Sequence, residues 1–411
     1  MTDLGGLRTL SMFEARAEAI LPADAFAFGA GGSASEATLE RNRHALRHLA
    51  IEQRVLMNVK TIDTRASFLD MTLPSPIIVA PMGGMYRFHP EGDVEMARGA
   101  TRDGGMAVVS GVAGWPLQDI AAAANGPLIF QLYWLGNREW VADKLGQAGA
   151  AGFKAVCLTV DTAAYSRRER DMVLDAPGQR RGGPAPAPPL GDTQSGLTWD
   201  DVDWARSQIA LPFGLKGILT AQDARIALDH DIDFIWVSNH GGRQLDDARA
   251  SIDALTDIVD VVQGRVPLIV DGGFRRGTDV MKGLALGATL VAFGRTVLWG
   301  LAVAGADGVQ QVLRLLNDEL TINMKLAGRT RTSSLTPDLV QRVDGSGFAV
   351  PIVRPITRSD DPEASLMAQL SPSQRAAVRA ITDSTELSEV DKMWGITETL
   401  FGVTGSGGEG Q

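Results

Sequence analysis

Residues 234–246, FIWVSNHGGRQLD, place a short apolar run directly before a polar turn that contains two glycines. The run has the length and composition of a buried strand. Seven other runs share this layout: PIIVAPMG (76–83), MAVVSGV (106–112), LIFQLYW (128–134), AVCLTVDT (155–162), FGLKGIL (213–219), PLIVDGG (267–273) and LVAFGR (290–295). Helix-like stretches, such as NREWVADKLGQAGAAG (137–152), separate most of them. The alternation predicts an α/β fold, a (β/α)8 TIM barrel, with an open doubly wound sheet as the alternative.

The composition indicates a globular protein with neither a nucleic-acid nor a membrane partner. The chain has 411 residues, of which 45% are hydrophobic, and a net charge of -10. That negative charge disfavours a nucleic-acid surface, and no apolar stretch reaches the roughly 18 residues of a membrane span. The N-terminus lacks the pattern of a signal peptide. The single cysteine, Cys157, excludes an intramolecular disulfide framework, suits a cytoplasmic location and is expected to be a buried small hydrophobe.

The domain prediction is one barrel domain over residues 1–335. Residues 1–65 are expected to form an N-terminal helical segment, and residues 163–212 an active-site loop region with a centre rich in proline and glycine. Residues 336–411 are expected to form a C-terminal extension that is partly disordered.

Polar residues cluster at the C-terminal ends of the apolar runs, the face on which barrel enzymes carry their active sites. These residues are Gln131, Tyr133, Asp161, Lys216, His240, Arg243, Asp271 and Arg295. His240 has a side chain suited to general-base catalysis near neutral pH, and Asp161 is expected to orient it. Arg243 and Arg168 are expected to clamp a carboxylate, and Tyr133 to hydrogen-bond a substrate.

Simpler structural roles remain open for the same residues. His240 alone would also serve to cap a turn, Lys216 would also pair with a structural carboxylate, and Arg168 would also belong to a solvated charge run. No spacing of His, Cys or Asp residues predicts a metal site.

Two glycine-rich turns predict a phosphate site. DGGFRRGTDV (271–280) and FGR (293–295) follow the seventh and eighth runs, where barrels often bind phosphate. Glycines let backbone N–H groups approach an anion, and Arg275 and Arg295 supply charged donors. No GxGxxG motif follows a strand in the manner of a dinucleotide-binding fold.

Taken together, these motifs resemble the FMN-dependent α-hydroxy-acid oxidase and dehydrogenase family, which includes glycolate oxidase, lactate oxidase and mandelate dehydrogenase. The pieces that carry the resemblance run in family order over roughly residues 10–335. They are APMGG, FQLYW, LTVDT, SRRERD, LKGILTAQDA, SNHGGRQLD, DGGFRRGTDV and FGR. The resemblance implies the FMN cofactor and oxidation of a 2-hydroxy acid to the 2-oxo acid.

The resemblance also implies a role for each matching residue. The backbone along the flavin ring would come from Pro81, Met82 and Gly83. The ring would be hydrogen-bonded by Ser110, Gln131 and Thr159, with Lys216 beside its N1 and O2. The ribityl phosphate would be held by Asp271, Gly273, Arg275, Gly294 and Arg295, with Ser238 nearby. His240, paired with Asp161, would take a proton from the substrate, whose carboxylate would bind Arg168, Arg243 and Tyr133.

Three positions depart from the family pattern. Phe28 stands where many members have a carboxylate-binding tyrosine, and Val112 stands where glycolate oxidase has a tryptophan. The change at Phe28 favours a larger, more apolar substrate, such as an aryl 2-hydroxy acid like mandelate, and the change at Val112 also indicates a reshaped pocket. Gly83 stands where several oxidases have alanine, which leaves open whether oxygen or another acceptor reoxidises the flavin.

Alternative functions remain open. They are a lactate-type monooxygenase that releases a decarboxylated acid, a non-redox FMN barrel isomerase, and a flavin-binding barrel without turnover. The expected partners are a small 2-hydroxy acid, an electron acceptor, and further copies of the chain in a homotetramer.

Overall fold

The computed structural model describes residues 6–174 and 194–343, together with Leu4 and Ile381. The strands are β1 (Leu49–Ile51), β2 (Ala66–Phe68), β3 (Met71–Leu73), β4 (Ile77–Val79), β5 (Ala107–Ser110), β6 (Leu128–Leu132), β7 (Ala155–Thr159), β8 (Phe213–Ile218), β9 (Phe234–Val237), β10 (Leu268–Val270), β11 (Leu290–Phe293) and β12 (Val340–Arg342). The helices are α1 (Leu10–Ile20), α2 (Ala23–Ala30), α3 (Ala37–Arg47), α4 (Gly92–Thr101), α5 (Leu117–Ala123), α6 (Arg138–Ala150), α7 (Glu169–Val173), α8 (Trp199–Ser207), α9 (Ala221–Asp229), α10 (Ser251–Val262), α11 (Gly277–Ala285) and α12 (Arg295–Leu326).

Strands β4 to β11 close into one parallel barrel in sequence order, with β11 paired to β4. The predicted (β/α)8 barrel is therefore confirmed, and the open doubly wound sheet is wrong. All eight predicted apolar runs contain a barrel strand. Because every neighbouring pair is parallel, all eight C-terminal ends meet at one rim.

Two layers of apolar side chains hold the barrel. One layer fills its interior and includes Ile78, Cys157 and Trp236. Cys157 is buried and unpaired, as expected from its apolar run. The second layer lies between the strands and the surrounding helices.

The β2–β3 hairpin packs against the interior layer through Phe68, whose ring lies 5.3 Å from that of Phe234. Phe234 is the first residue of β9, so the hairpin covers the end of the barrel where the strands begin. The rim at the C-terminal ends is left for the site.

The N-terminal segment contains helices α1 to α3 and strand β1, which pairs with β12 in antiparallel fashion. This pairing uses residues 340–342, beyond the expected domain boundary at 335, and the domain division stays a prediction. The centre of the 163–212 region and most of the 336–411 extension lie outside the described residues. Within the described ranges, no helix combines the length and apolar character needed to cross a bilayer.

A reciprocal amide pair ties α3 to the turn after β9. Asn42 Nδ2 donates to Asn239 Oδ1 (2.9 Å), and Asn239 Nδ2 donates to Asn42 Oδ1 (2.8 Å). The same Asn42 oxygen accepts from the Ser251 backbone N–H, and Asn42 has no exposed surface. The N-terminal segment is therefore hydrogen-bonded to the loop that carries His240.

Replacing Asn42 with alanine should destabilise the protein, because Asn239 and the Ser251 N–H would lose buried partners. We expect Asn42→Ala to lower the free energy of unfolding by about 2–4 kcal/mol, as measured by urea unfolding of the FMN-saturated protein. Asn58→Ala, at an exposed position, is the matched control and should change it by less than about 0.5 kcal/mol. Equal effects of the two substitutions would contradict the proposed link.

Candidate active site

A cavity of about 440 Å³ opens at the C-terminal rim of the barrel. Its walls contain fifteen residues of the sequence-predicted site: Phe28, Pro81, Met82, Gly83, Val112, Tyr133, Arg168, Lys216, His240, Arg243, Asp271, Gly273, Arg275, Gly294 and Arg295. The five other predicted residues lie next to this wall or beneath it: Ser110, Gln131, Thr159, Asp161 and Ser238. The structure thus brings the whole predicted set to one end of the barrel.

His240 lies at the start of a left-handed turn. It has a φ of 58°, and Gly241 and Gly242 follow with φ values of 64° and 76°. A Cβ at Gly242 would lie 2.6 Å from the backbone nitrogen of Leu39 on α3. Glycine is therefore required there for conformation and for space. His240 holds its left-handed conformation at a cost, as functional residues often do.

His240 is hydrogen-bonded on both ring nitrogens. Nδ1 lies 2.9 Å from Asp161 Oδ1, and Nε2 lies 3.3 Å from the Tyr133 hydroxyl. Burial lowers the pKa of His240 below its usual value, although Asp161 opposes the shift. Burial alone would raise the pKa of Asp161, but the neighbouring His240 outweighs it and lowers that pKa. A neutral imidazole oriented by a carboxylate is the state that a general base requires.

Each of the two predicted carboxylate-binding arginines rests on an aromatic ring. Arg168 lies 4.6 Å from the Tyr165 ring centre and also donates to its hydroxyl (3.0 Å). Arg243 lies 4.8 Å from the Phe28 ring centre and donates to the Phe28 carbonyl (2.6 Å). Burial, followed by the charge of Arg168, lowers the pKa of Arg243. An anion bound between the two guanidinium groups would relieve this repulsion.

Lys216 is buried beside a carboxylate. Its Nζ donates to Ser238 Oγ (3.0 Å) and lies 3.5 Å from Asp271 Oδ2. Asp271 also accepts from Ser238 Oγ and Trp236 Nε1. Burial would lower the pKa of Lys216, but Asp271 and Asp161 outweigh it, so the pKa is raised and the ammonium stays charged. The structural pairing that the sequence left open therefore exists, with Asp271 as its carboxylate.

The predicted phosphate end is built from two barrel loops and the N-terminal segment. Arg275 is paired with Glu14 of α1, with 3.0 Å between NH1 and Oε2. Arg295 donates to the backbone carbonyls of Gly29 and Gly31 in the N-terminal segment, and of Gly241 after β9. These contacts join the segment before β4 to the cavity.

Comparison with known proteins decides the family. The family described as FMN-dependent dehydrogenase matches residues 17–342. The peroxisomal (S)-2-hydroxy-acid oxidase GLO4 of Oryza sativa subsp. japonica is 40% identical over 342 residues, covering 79% of this chain and 93% of that protein. The glycolate oxidase of Spinacia oleracea is 36% identical over 340 residues, covering 78% and 92%. This chain belongs to the FMN-dependent dehydrogenase family.

Solved structures of similar proteins agree with this assignment. A putative lactate oxidase of Pediococcus acidilactici superimposes with a TM-score of 0.78 at 36% identity, covering 82% of this chain and 94% of the other. A mandelate oxidase structure with 3,3-difluoro-2-hydroxy-3-phenylpropionic acid gives 0.75 at 38% identity, covering 81% and 98%.

The FMN cofactor of this family fits two buried polar atoms at the wall of the barrel. Among the described residues, Gln131 Nε2 and Thr159 Oγ1 have no hydrogen-bond partner. A buried polar group left without a partner costs about 1–3 kcal/mol. The polar edge of a flavin ring offers acceptors for the amide and both donors and acceptors for the hydroxyl. These residues therefore suit the ring that the family binds.

The cavity-lining residues that sequence reasoning missed include Arg43, Tyr86, Arg87, Thr162, Tyr165 and Gln244. Five of them lie in the loops that follow the same barrel strands as predicted residues: Tyr86, Arg87, Thr162, Tyr165 and Gln244. The search for polar residues at the C-terminal ends of strands would have found them if it had extended further along each loop. Arg43 lies on helix α3, which does not follow a barrel strand, so the search at strand ends could not have found it.

A side chain at position 83 would occupy the space that the Val112 side chain fills on the cavity wall. A Cβ at Gly83 would lie 2.6 Å from Val112 Cγ2, closer than real Cβ contacts come. The Gly83 backbone does not itself demand glycine, since the positive φ belongs to its neighbour Gly84. Glycine at position 83 is therefore linked to the size of the side chain at position 112. The departures from the family pattern at these two positions are sterically coupled.

The double substitution should show this link. Gly83→Ala should lower the free energy of unfolding by about 1–3 kcal/mol through overpacking, and Gly83→Ala with Val112→Ala should recover most of that loss. Urea unfolding of both single variants and of the double variant measures the coupling. Gly146→Ala, where a Cβ meets nothing within 4 Å, is the control and should not destabilise. Strictly additive effects at positions 83 and 112 would disprove the link.

Proposed function

We propose that this protein catalyses the FMN-dependent oxidation of an S-2-hydroxy acid to the corresponding 2-oxo acid. The observation that carries the proposal is that His240, hydrogen-bonded to Asp161, lies on the wall of a cavity that Arg168 and Arg243 also line. A base beside two cations suits a substrate that carries both a hydroxyl and a carboxylate. The family members named above as hydroxy-acid, glycolate and mandelate oxidases support the same reaction class.

The protein residues divide the work as follows in this proposal. Arg168 and Arg243 bind the substrate carboxylate, and the aromatic rings beneath them hold both guanidinium groups in place. Tyr133 hydrogen-bonds the substrate beside His240, and its pKa, raised to about 12 mainly by burial, keeps it a donor.

Proton transfer falls to His240. Its Nε2 takes the substrate proton, and Asp161 stabilises the imidazolium that results. FMN, when bound, supplies the two-electron acceptor. We propose that Lys216 faces it as a fixed positive charge, and that the backbone at Pro81–Gly83 lies along its ring.

The proposed substrate class has a large, apolar side chain, as in mandelate. Four wall residues support this: Phe28, Tyr86, Val112 and Tyr165. Phe28 has no hydroxyl to offer a carboxylate. The centre of its ring instead lies 4.7 Å from the guanidinium carbon of Arg87 and 4.8 Å from that of Arg243. The wall offers aromatic surface to a substrate ring.

Oxygen is the proposed electron acceptor, since the family relatives named above are oxidases. Product analysis after admitting oxygen tests this. Peroxide with the 2-oxo acid indicates an oxidase, a decarboxylated acid indicates the monooxygenase alternative, and slow reoxidation indicates a dehydrogenase. The isomerase alternative has no comparable support, since it gives no role to the His240–Arg243 pair.

A homotetramer in the cytoplasm completes the proposal. The rice relative is peroxisomal by name, so cell fractionation must test the location, and light scattering must test the assembly. The buried, unpaired thiol of Cys157 is in keeping with a reducing compartment.

Substrate-driven bleaching of the flavin tests the function. S-mandelate added anaerobically should reduce the bound FMN, and His240→Asn should slow this step about 10²- to 10⁴-fold while flavin binding persists. Asparagine is chosen because it tolerates the left-handed backbone at this position. Unchanged bleaching in His240→Asn would remove His240 as the base, and no bleaching of the native protein by any 2-hydroxy acid would refute the function.

The pH profile of flavin reduction should follow the His240 environment. The neutral imidazole is the active form, so the rate should rise with pH and then reach a plateau. The midpoint of this rise should lie below the usual pKa of histidine, because burial lowers the pKa of His240. Asp161 holds that pKa up, so Asp161→Asn should move the acidic limb to lower pH and also reduce the plateau rate. Asp203→Asn, beside the surface His230, should leave the profile unchanged. A limb that moves to higher pH in Asp161→Asn would contradict this assignment.

Val112 should set the size of the accepted side chain. Val112→Trp should lower kcat/KM for S-mandelate relative to S-lactate by about tenfold or more, because the indole would occupy space needed by the phenyl ring. Val112→Ala serves as the control and should retain the kcat/KM for S-mandelate relative to S-lactate. Equal losses for both substrates in Val112→Trp would argue against a role in side-chain selection.

A further inference from the structure

The phosphate end of the cavity carries a surplus of positive charge. Arg43, Arg275 and Arg295 all line the cavity, and Glu14 pairs with Arg275. Arg43 belongs to this end because a Cβ at Gly273, in the phosphate loop, would lie 2.8 Å from the backbone oxygen of the preceding residue, Asn42. Glu36, on the neighbouring turn, is paired with Arg170. Three guanidinium groups and the Glu14 carboxylate leave about two positive charges. A phosphate monoester carries about -1.5 to -2 near neutral pH, which matches that surplus.

Arg43 has the most hydrogen-bonding capacity left of the three. Arg295 uses Nε, NH1 and NH2 on backbone carbonyls, and Arg275 uses NH1 on Glu14. For Arg43, no hydrogen-bond or ion-pair partner is found among residues 6–174 and 194–343. A guanidinium offers five N–H donors, so all five remain on Arg43.

The position of Arg43 is costly unless an anion is near. Burial, followed by the charge of Arg275, lowers its pKa to about 10. Arg43 and Arg275 also both depress the pKa of Arg295, so the three groups act on one region. Asn42, the preceding residue, is hydrogen-bonded to Asn239, which fixes this turn of α3 against the barrel.

We propose that Arg43 is a third arginine ligand of the FMN phosphate, so that helix α3 of the N-terminal segment completes the cofactor site. The inference rests on the proposed site, in which Arg275 and Arg295 hold the same phosphate. It gives the N-terminal helices a part in cofactor binding in addition to their packing.

Comparing FMN with riboflavin, which lacks the phosphate, tests the proposal on the full-length chain. Flavin is removed by dialysis, and each flavin is titrated back while its fluorescence is followed. We expect Arg43→Gln to weaken FMN about tenfold to a hundredfold and riboflavin less than about threefold. Arg43→Lys, which keeps the charge but loses the planar fork, should fall between native protein and Arg43→Gln. Arg47→Gln, one turn along α3 and exposed, is the matched control and should leave both affinities unchanged.

Each of the other possible results either overturns or supports the role of Arg43. Equal weakening of FMN and riboflavin would overturn the proposal, because it indicates a general effect on the fold. Unchanged FMN affinity in Arg43→Gln would overturn it as well. If Arg43→Gln does not fold, a native FMN-to-riboflavin ratio in Arg43→Lys decides against the proposal, and a reduced ratio supports it. Failure of the native protein to bind FMN would instead refute the proposed cofactor site itself.

Discussion

Closure of eight parallel strands is the constraint on which the site depends. Parallel pairing from β4 round to β11 sends every C-terminal strand end to one rim, while the β2–β3 hairpin packs at the other end. Residues far apart in sequence, such as Asp161 and His240, therefore meet at 2.9 Å. The turn after β9 is left-handed over three residues, and glycine at 242 lets it pass α3.

The electrostatics of the rim follow from its burial. Arginines crowd the cavity, while the buried carboxylate of Asp271 pairs with Lys216 and that of Asp161 with the His240 imidazole. Arg168 and Arg243 are stacked on rings, and Arg295 is bonded to backbone carbonyls, which holds their geometry without neutralising their charge. A site of this kind is organised for anions, and the substrate carboxylate and the cofactor phosphate are the two that its family reaction supplies.

The N-terminal segment is part of the site rather than a separate cover. Phe28 lies on the cavity wall, Glu14 pairs with Arg275, and Asn42 is bonded to the turn that carries His240. In this segment the sequence predicted a site position for Phe28 and otherwise helical packing before the first strand. Its contacts with loops more than 190 residues away place it at both the substrate end and the phosphate end.

The sequence by itself determined the barrel, because buried strands and helices have different periods and strand ends carry polar residues. It also predicted which rim carries the candidate site and the set of residues that the structure brings to that rim. Tertiary structure alone decided which groups meet: Asp271 beside Lys216, the clash of a Gly83 side chain with Val112, and Arg43 on the wall of the cavity that Arg275 also lines. These contacts cross between elements, and neither periodicity nor local spacing contains the distances that decide them.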